Sequence, residues 1–292
     1  MTTAIDVGIG LGMLHPSRFE SVARAADRAG FESVWLPEHL VFPVEMAGSP
    51  HPGDDHPPVP SETPLFDVFA YLSYLAGRTE QVRLGTWVYL LALRHPFVSA
   101  RAIATLDQVS GGRAIVGVGA GWLRQEWTAA GLDPRTRGRR LDEALAVCRR
   151  LFSEDTISHR GDFYEFDAVK FEPKPVQRPY PPLLAGGESQ AALDRAGAHC
   201  DGWIGVNHTP DSAAERVAKL RAALERHDRD PRSFEFVAGG SVETPGDLEA
   251  YARAGLTRVI VSPWTRSRDA VAGVERLADT LESAGLALRR AG

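Results

Sequence analysis

Apolar residues along this chain of 292 residues follow two spacings in turn. Short apolar, β-branched runs at 5–10, 33–36, 82–89, 114–118, 183–185, 203–206, 234–239 and 258–262 read as strands buried on both faces. Between them, apolar positions recur every three to four residues at 16–29, 65–78, 96–109, 139–152, 190–198, 211–227, 247–254 and 270–284, which predicts amphipathic helices. Pro16, Pro96 and Pro245 suit a first helical turn, and Thr244 with Asp247 resembles a capping arrangement. Gly30, Gly131 and Gly255 fall where helices are expected to stop. About eight strand–helix units over about 290 residues match the count and size of an α/β (β/α)8 TIM barrel. A doubly wound parallel sheet is the alternative, although one such sheet normally needs fewer units. No linker splits the sequence, so residues 1–292 are expected to form one barrel domain.

Two segments interrupt the alternation. Residues 37–64, after the second strand, are rich in Pro, His and Asp; residues 154–181 precede the fifth strand. Aromatic alternation through Gly161-Asp162-Phe163-Tyr164-Glu165-Phe166 suggests a small hairpin in the second segment. Long loops in a compact domain tend to be lids or binding loops, and the first would sit on the C-terminal face of a barrel, where active sites are built.

Composition removes several function classes. A net charge of −5 without a basic stripe argues against a nucleic-acid partner. No apolar run approaches membrane-spanning length, and Met1–Asp6 lacks the features of a signal peptide, so a cytoplasmic protein with no membrane partner is expected. Cys148 and Cys200 stand far apart without metal-ligand spacing. His51, Asp54, Asp55 and His56 are ligand types, but their Pro-rich setting lacks the spacing of a metal site, and none is expected.

Candidate chemistry concentrates in three places. The run Arg113–Val118 feeds a glycine-rich turn, Gly119-Ala120-Gly121-Trp122, before a helical stretch. A second apolar run feeds Gly186-Gly187-Glu188-Ser189. Such turns let bare backbone N–H groups approach an anion, and two at equivalent places suggest a phosphorylated cofactor. Glu38 and His39 follow the second strand, a catalytic position in a barrel, where the carboxylate could orient the imidazole.

Several motifs in order carry a resemblance over nearly the whole chain. They are Trp35-Leu36-Pro37-Glu38-His39, Leu84-Gly85-Thr86-Trp87-Val88, Arg94-His95-Pro96, the run 106–113, Gly117–Trp122, Gly161–Tyr164, Pro173–Gln177 and Ala185-Gly186-Gly187. Together the sequence resembles the bacterial luciferase-like superfamily, and within it the oxidoreductases that use coenzyme F420. The resemblance implies a barrel whose mouth holds a deazaflavin, or alternatively FMN. It implies His39 beside the ring with Glu38 as its acidic neighbour, and backbone of Gly119, Ala120, Gly121 and Trp122 on the cofactor tail. Gly186, Gly187 and Ser189 would form a second tail-binding turn. A non-prolyl cis peptide would fall near Thr86-Trp87-Val88, where many relatives have a residue smaller than Trp87. Arg137, Arg139 and Arg140 would suit an anionic oligoglutamate tail.

The implied activity is hydride transfer between coenzyme F420 and a small organic substrate. The substrate is expected to be apolar if Leu90, Leu91, Leu93, Phe42, Val44, Met46, Trp203 and Trp264 line the mouth rather than pack beneath the loops. The alternatives are a monooxygenase using reduced FMN from a separate reductase, and a non-catalytic flavin-binding protein. A homodimer is implied by the resemblance alone.

Overall fold

In a computed structural model describing residues 5–50 and 57–284, eight parallel strands close into a barrel with helices outside. The elements run β1 (Asp6–Gly10), α1 (Phe19–Ala29), β2 (Ser33–Leu36), α2 (Val68–Ala76), β3 (Arg83–Tyr89), α3 (Pro96–Val109), β4 (Ala114–Val118), α4 (Arg124–Ala129) and α5 (Arg137–Ser153). They continue with β5 (Ile157–Arg160), β6 (Glu165–Val169), β7 (Leu183–Gly186), α6 (Gln190–His199), β8 (Gly202–Asn207), α7 (Pro210–Arg226), β9 (Glu235–Gly239), α8 (Pro245–Arg253), β10 (Arg258–Val261) and α9 (Ala270–Ser283). Barrel order is β1-β10-β9-β8-β7-β4-β3-β2, which replaces the doubly wound alternative. Among the described residues no helix is long and apolar enough to cross a membrane.

Local signals account for the helix ends. Gly30, Gly131 and Gly255 adopt φ of 82°, 74° and 93°, the left-handed stop that disfavours other residues. Pro96 and Pro245 open α3 and α8, while Pro16 opens a short 3-10 turn that leads into α1. Asp247 accepts from the Thr244 amide at 2.8 Å, the expected capping box. The segment 154–181 does contain a hairpin, β5 against β6 antiparallel, with Gly161–Tyr164 at its turn. Glu143 on α5 fastens that turn by accepting from the amides of Phe163 and Tyr164 at 3.0 and 2.9 Å.

Inside the barrel lies a separate apolar cluster of Trp35, Ile115, Leu184, Ile204, Val237 and Ile260. Trp87 and Val88, at the end of β3, pack on it and form the floor of the mouth. Two of the motifs serve the barrel wall rather than its mouth. Asp107 accepts from the Gln177 amide and side chain at 2.9 and 2.7 Å. Arg113 donates to the carbonyls of Ala76 and Val82. Cys148 and Cys200 are buried free thiols, and burial pushes each up to about 12.

Candidate active site at the barrel mouth

The pairing of β3, β4 and β7 brings the two glycine turns together. Val118 pairs with Ala185, so Gly119 and Gly186 emerge side by side from neighbouring strands. The peptide bond between Trp87 and Val88 is cis, and the β3–β4 register shifts between Thr86 and Tyr89. The Val88 side chain reaches both turns. A Cβ at Gly119 would sit 2.6 Å from Val88 Cγ2, and one at Gly186 2.8 Å from Val88 Cγ1. Those glycines are small because valine occupies the space.

Trp87 crosses the floor in the other direction. Its Nε1 donates to the Gly205 carbonyl at 3.1 Å, and its ring approaches Gly10 and Gly239. Glycines on β1 and β9 make room for its ring.

The turn amides divide into committed and free groups. Gly119 N–H donates to the Tyr89 carbonyl at 3.0 Å, so its amide does not face a ligand. Thr86, fully buried, donates its hydroxyl to the Gly117 carbonyl at 2.7 Å and holds β3 to β4. Both groups are thus engaged within the wall of the site. The amides of Ala120, Gly121 and Trp122 have no partner among the described residues. Gly121 takes a φ of 76°, and Trp127 Nε1 props the turn from outside by donating to the Ala120 carbonyl at 3.0 Å. At the second turn Gly187 has a φ of 120°, and its carbonyl accepts from Trp203 Nε1 at 3.0 Å. Ser189 caps α6 by accepting from the Ala192 amide, so its oxygen is already engaged as an acceptor. Glu188 accepts from the Val206 amide and pairs with His208 at 3.1 Å and Arg216 at 2.9 Å, which braces this turn against β8 and α7.

His39 and Glu38 part company. His39 Nδ1 lies 2.9 Å from Glu126 Oε2, and its ring contacts Phe42 and Trp122 with centroids 4.6 and 5.8 Å away. Glu126 is fully buried on α4, and its other oxygen accepts the amides of Leu40 and Val41. A carboxylate at Nδ1 makes that nitrogen the donor and leaves Nε2, which has no partner among the described residues, for the mouth.

Glu38 instead accepts from the Leu90 amide at 2.9 Å and the Arg94 guanidinium at 2.7 Å. Burial pushes the Glu38 carboxyl up, against the opposing pull of Arg94 and the Leu90 amide. The residue that orients His39 is therefore Glu126, eighty-seven positions away in sequence, and Glu38 anchors the end of β3. Sequence spacing does not reveal Glu126, because only folding brings it to the imidazole. Its one local signal is an acid beside Trp127 on the helix that follows the first glycine turn.

Other expected positions fall elsewhere. Leu90, Leu91, Leu93 and Trp203 are buried in the core. Trp264 packs against the core, Val44 is exposed, and Phe42 is the apolar residue that touches His39. Arg137 donates to the Pro134 carbonyl and Arg139 pairs with Asp162, whereas Arg140 lies over Phe163. His51, Asp54, Asp55 and His56 lie outside the described residues.

Comparison with known proteins agrees with this architecture. The family model of luciferase-like monooxygenases matches residues 2–288. An uncharacterized protein of Mycobacterium tuberculosis is 33% identical over 263 residues, 89% of this chain and 93% of the relative. An FMNH2-dependent dimethylsulfone monooxygenase of Pseudomonas putida is 27% identical over 242 residues, 82% of this chain and 61% of that protein. Among solved structures, an F420-dependent secondary alcohol dehydrogenase in complex with an F420–acetone adduct superposes with a TM-score of 0.75. It shares 18% identity and the superposition covers 96% of this chain and 99% of that one.

Proposed function

This chain belongs to the luciferase-like monooxygenase family, and on that basis we propose that it is an oxidoreductase moving a hydride between coenzyme F420 and a small organic substrate. One observation carries the proposal: two adjacent glycine turns offer free backbone donors beside an imidazole whose Nε2 is unengaged. The site fits a phosphorylated tricyclic cofactor. Amides of Ala120, Gly121 and Trp122, with the turn at Gly187–Ser189, suit its phosphate and tail. Trp87 and Val88 give the ring an apolar bed. When bound, the deazaflavin supplies a two-electron hydride at C5.

The protein's own part is binding, orientation and proton management. Glu126 fixes the His39 tautomer, so Nε2 exchanges a proton with the substrate atom whose charge changes. Phe42 packs on the imidazole and restricts water beside it. The motifs at 106–122 and 161–187 resemble the F420-using branch, which ranks the deazaflavin first.

The second reading is an FMNH2-dependent monooxygenase served by a separate reductase, favoured by the Pseudomonas putida relative. Free turn amides serve either phosphate. Equilibrium titration of the purified chain with both cofactors decides between them. Low-micromolar F420 binding with weaker FMN binding is expected, and FMN binding without F420 binding would reverse the order. Tight binding of either without turnover of any substrate, unaltered by His39→Gln, would instead favour a flavin-binding protein.

A further inference from the structure

A cavity of about 230 Å³ lies on the outer side of the loops that follow β3 and β4, where the tip of the β5–β6 hairpin leans on α5. None of its lining residues belongs to the glycine turns or to the His39–Glu126 pair. Two residues of its lining each carry a buried polar atom without a hydrogen-bond partner: Arg140 at Nε and Tyr164 at its hydroxyl. A buried donor left unmade is costly, more so when charged, so two at one cavity point to a missing acceptor.

The charges around the cavity define that acceptor. Arg94 is neutralised by Glu38 at 2.7 Å. His95 Nδ1 accepts from the Phe97 amide, and burial pushes its pKa down, so it adds no charge. Arg140 has no carboxylate partner among the described residues, and its guanidinium lies 4.6 Å from the Phe163 ring centroid. Tyr164 is 5% exposed, and burial pushes its hydroxyl pKa up, while the neighbouring Arg140 guanidinium, close enough to approach the phenol oxygen, pulls it down; the phenolic proton is still left to donate. One arginine without a carboxylate partner among the described residues and one tyrosine thus border a space whose remaining wall includes Leu93 and Leu132.

We propose that this cavity is a binding site for a small monocarboxylate with a short apolar tail. One carboxylate oxygen accepts from Arg140 Nε and the other from the Tyr164 hydroxyl, while the tail lies on Leu93 and Leu132. A single water needs only about 10–15 Å³, so the space exceeds what one solvent bridge would fill. A monoanion matches the single free guanidinium; a phosphate dianion would remain short of donors and would meet apolar wall.

Sodium butyrate is the probe, titrated calorimetrically into the full chain at fixed ionic strength, with inorganic phosphate as the comparison. Saturable butyrate binding is expected, weakened about tenfold or more by Arg140→Gln and about three- to tenfold by Tyr164→Phe. Tyr164→Phe keeps the ring that packs against His95, and a melting temperature within a few degrees of the parent verifies its fold. Absence of saturable butyrate binding in the folded parent overturns the proposal. So does butyrate affinity unchanged in both variants, or phosphate binding as tightly as butyrate.

Discussion

His39 and Glu38 are adjacent in sequence and serve different networks. The carboxylate of Glu126 takes His39 Nδ1 at 2.9 Å, while Glu38 holds the Leu90 amide and Arg94. Substitutions at the three positions should therefore separate. His39→Gln is expected to lower kcat about 10²–10⁴-fold while leaving stability nearly unchanged, since general acid–base groups contribute on that scale. Glu126→Gln should also lower kcat, and it should alter the pH profile because an amide no longer dictates the imidazole tautomer. Glu38→Gln should instead cost about 1.5–3 kcal/mol of stability, the worth of a hydrogen bond to a charged group, with kcat retained where the variant is folded. Denaturant unfolding and steady-state kinetics on the three variants check the division; a kcat loss at Glu38 larger than at Glu126 would contradict it. At this scale the sequence carried His39 and its place after the second strand. It did not carry the partner, because local spacing contains no information on a contact eighty-seven residues distant.

Elements were more legible than contacts. Strand and helix periods locate every barrel strand within about two residues, because parallel strands buried on both faces leave an unmistakable apolar run. Helix 65–78 shortens to Val68–Ala76 because Asp67 caps it, accepting from the Ala70 amide at 2.8 Å. The hairpin is legible from its aromatic residues, of which Phe163 and Tyr164 sit at its turn and Phe166 on β6. What the pattern could not show is the end of β3, where the chain delivers Val88 to both glycine turns. Gly119→Ala should test this packing. Its Cβ would lie 2.6 Å from Val88 Cγ2, and overpacking of this kind costs about 1–3 kcal/mol. Combining it with Val88→Ala should recover part of the loss, a coupling measurable by a double-mutant cycle of urea midpoints. Purely additive losses would mean that valine does not occupy the space the glycine leaves.

For the molecule as a whole, barrel closure gathers charge as well as apolar surface. Arg258, 4% exposed as a side chain, opens β10 and pairs with Glu32 before β2, Glu235 on β9 and Asp6 on β1. Burial pushes the Glu32 carboxyl up, but Arg258 more than offsets it and holds it below the usual range. The folded state thus binds that proton less tightly than the unfolded chain does. Stability from Glu32 is present above the ordinary carboxylate pKa and lost as pH falls through the lowered one. Arg258→Leu should cost about 3–5 kcal/mol near neutrality by stranding the buried acids. It should also flatten the slope, because burial then outweighs the attraction left at Glu32 and acidification no longer removes stability there. A urea midpoint that is unchanged, or that keeps the parental slope, would contradict this account of how strands β1, β2, β9 and β10 are tied.

The parallel barrel itself could be counted from the sequence, whereas these ties and the cavity beside Arg140 and Tyr164 depend on side chains brought together only by folding. The central claim is that the two adjacent glycine turns and His39 form one cofactor site. Its most direct test is a crystal structure of the chain with coenzyme F420 bound. The account predicts the tail on the amides of residues 120–122 and 187–189, with the ring resting over Trp87 and Val88 beside His39. A ring bound away from that imidazole, or a tail held without either turn, would contradict it.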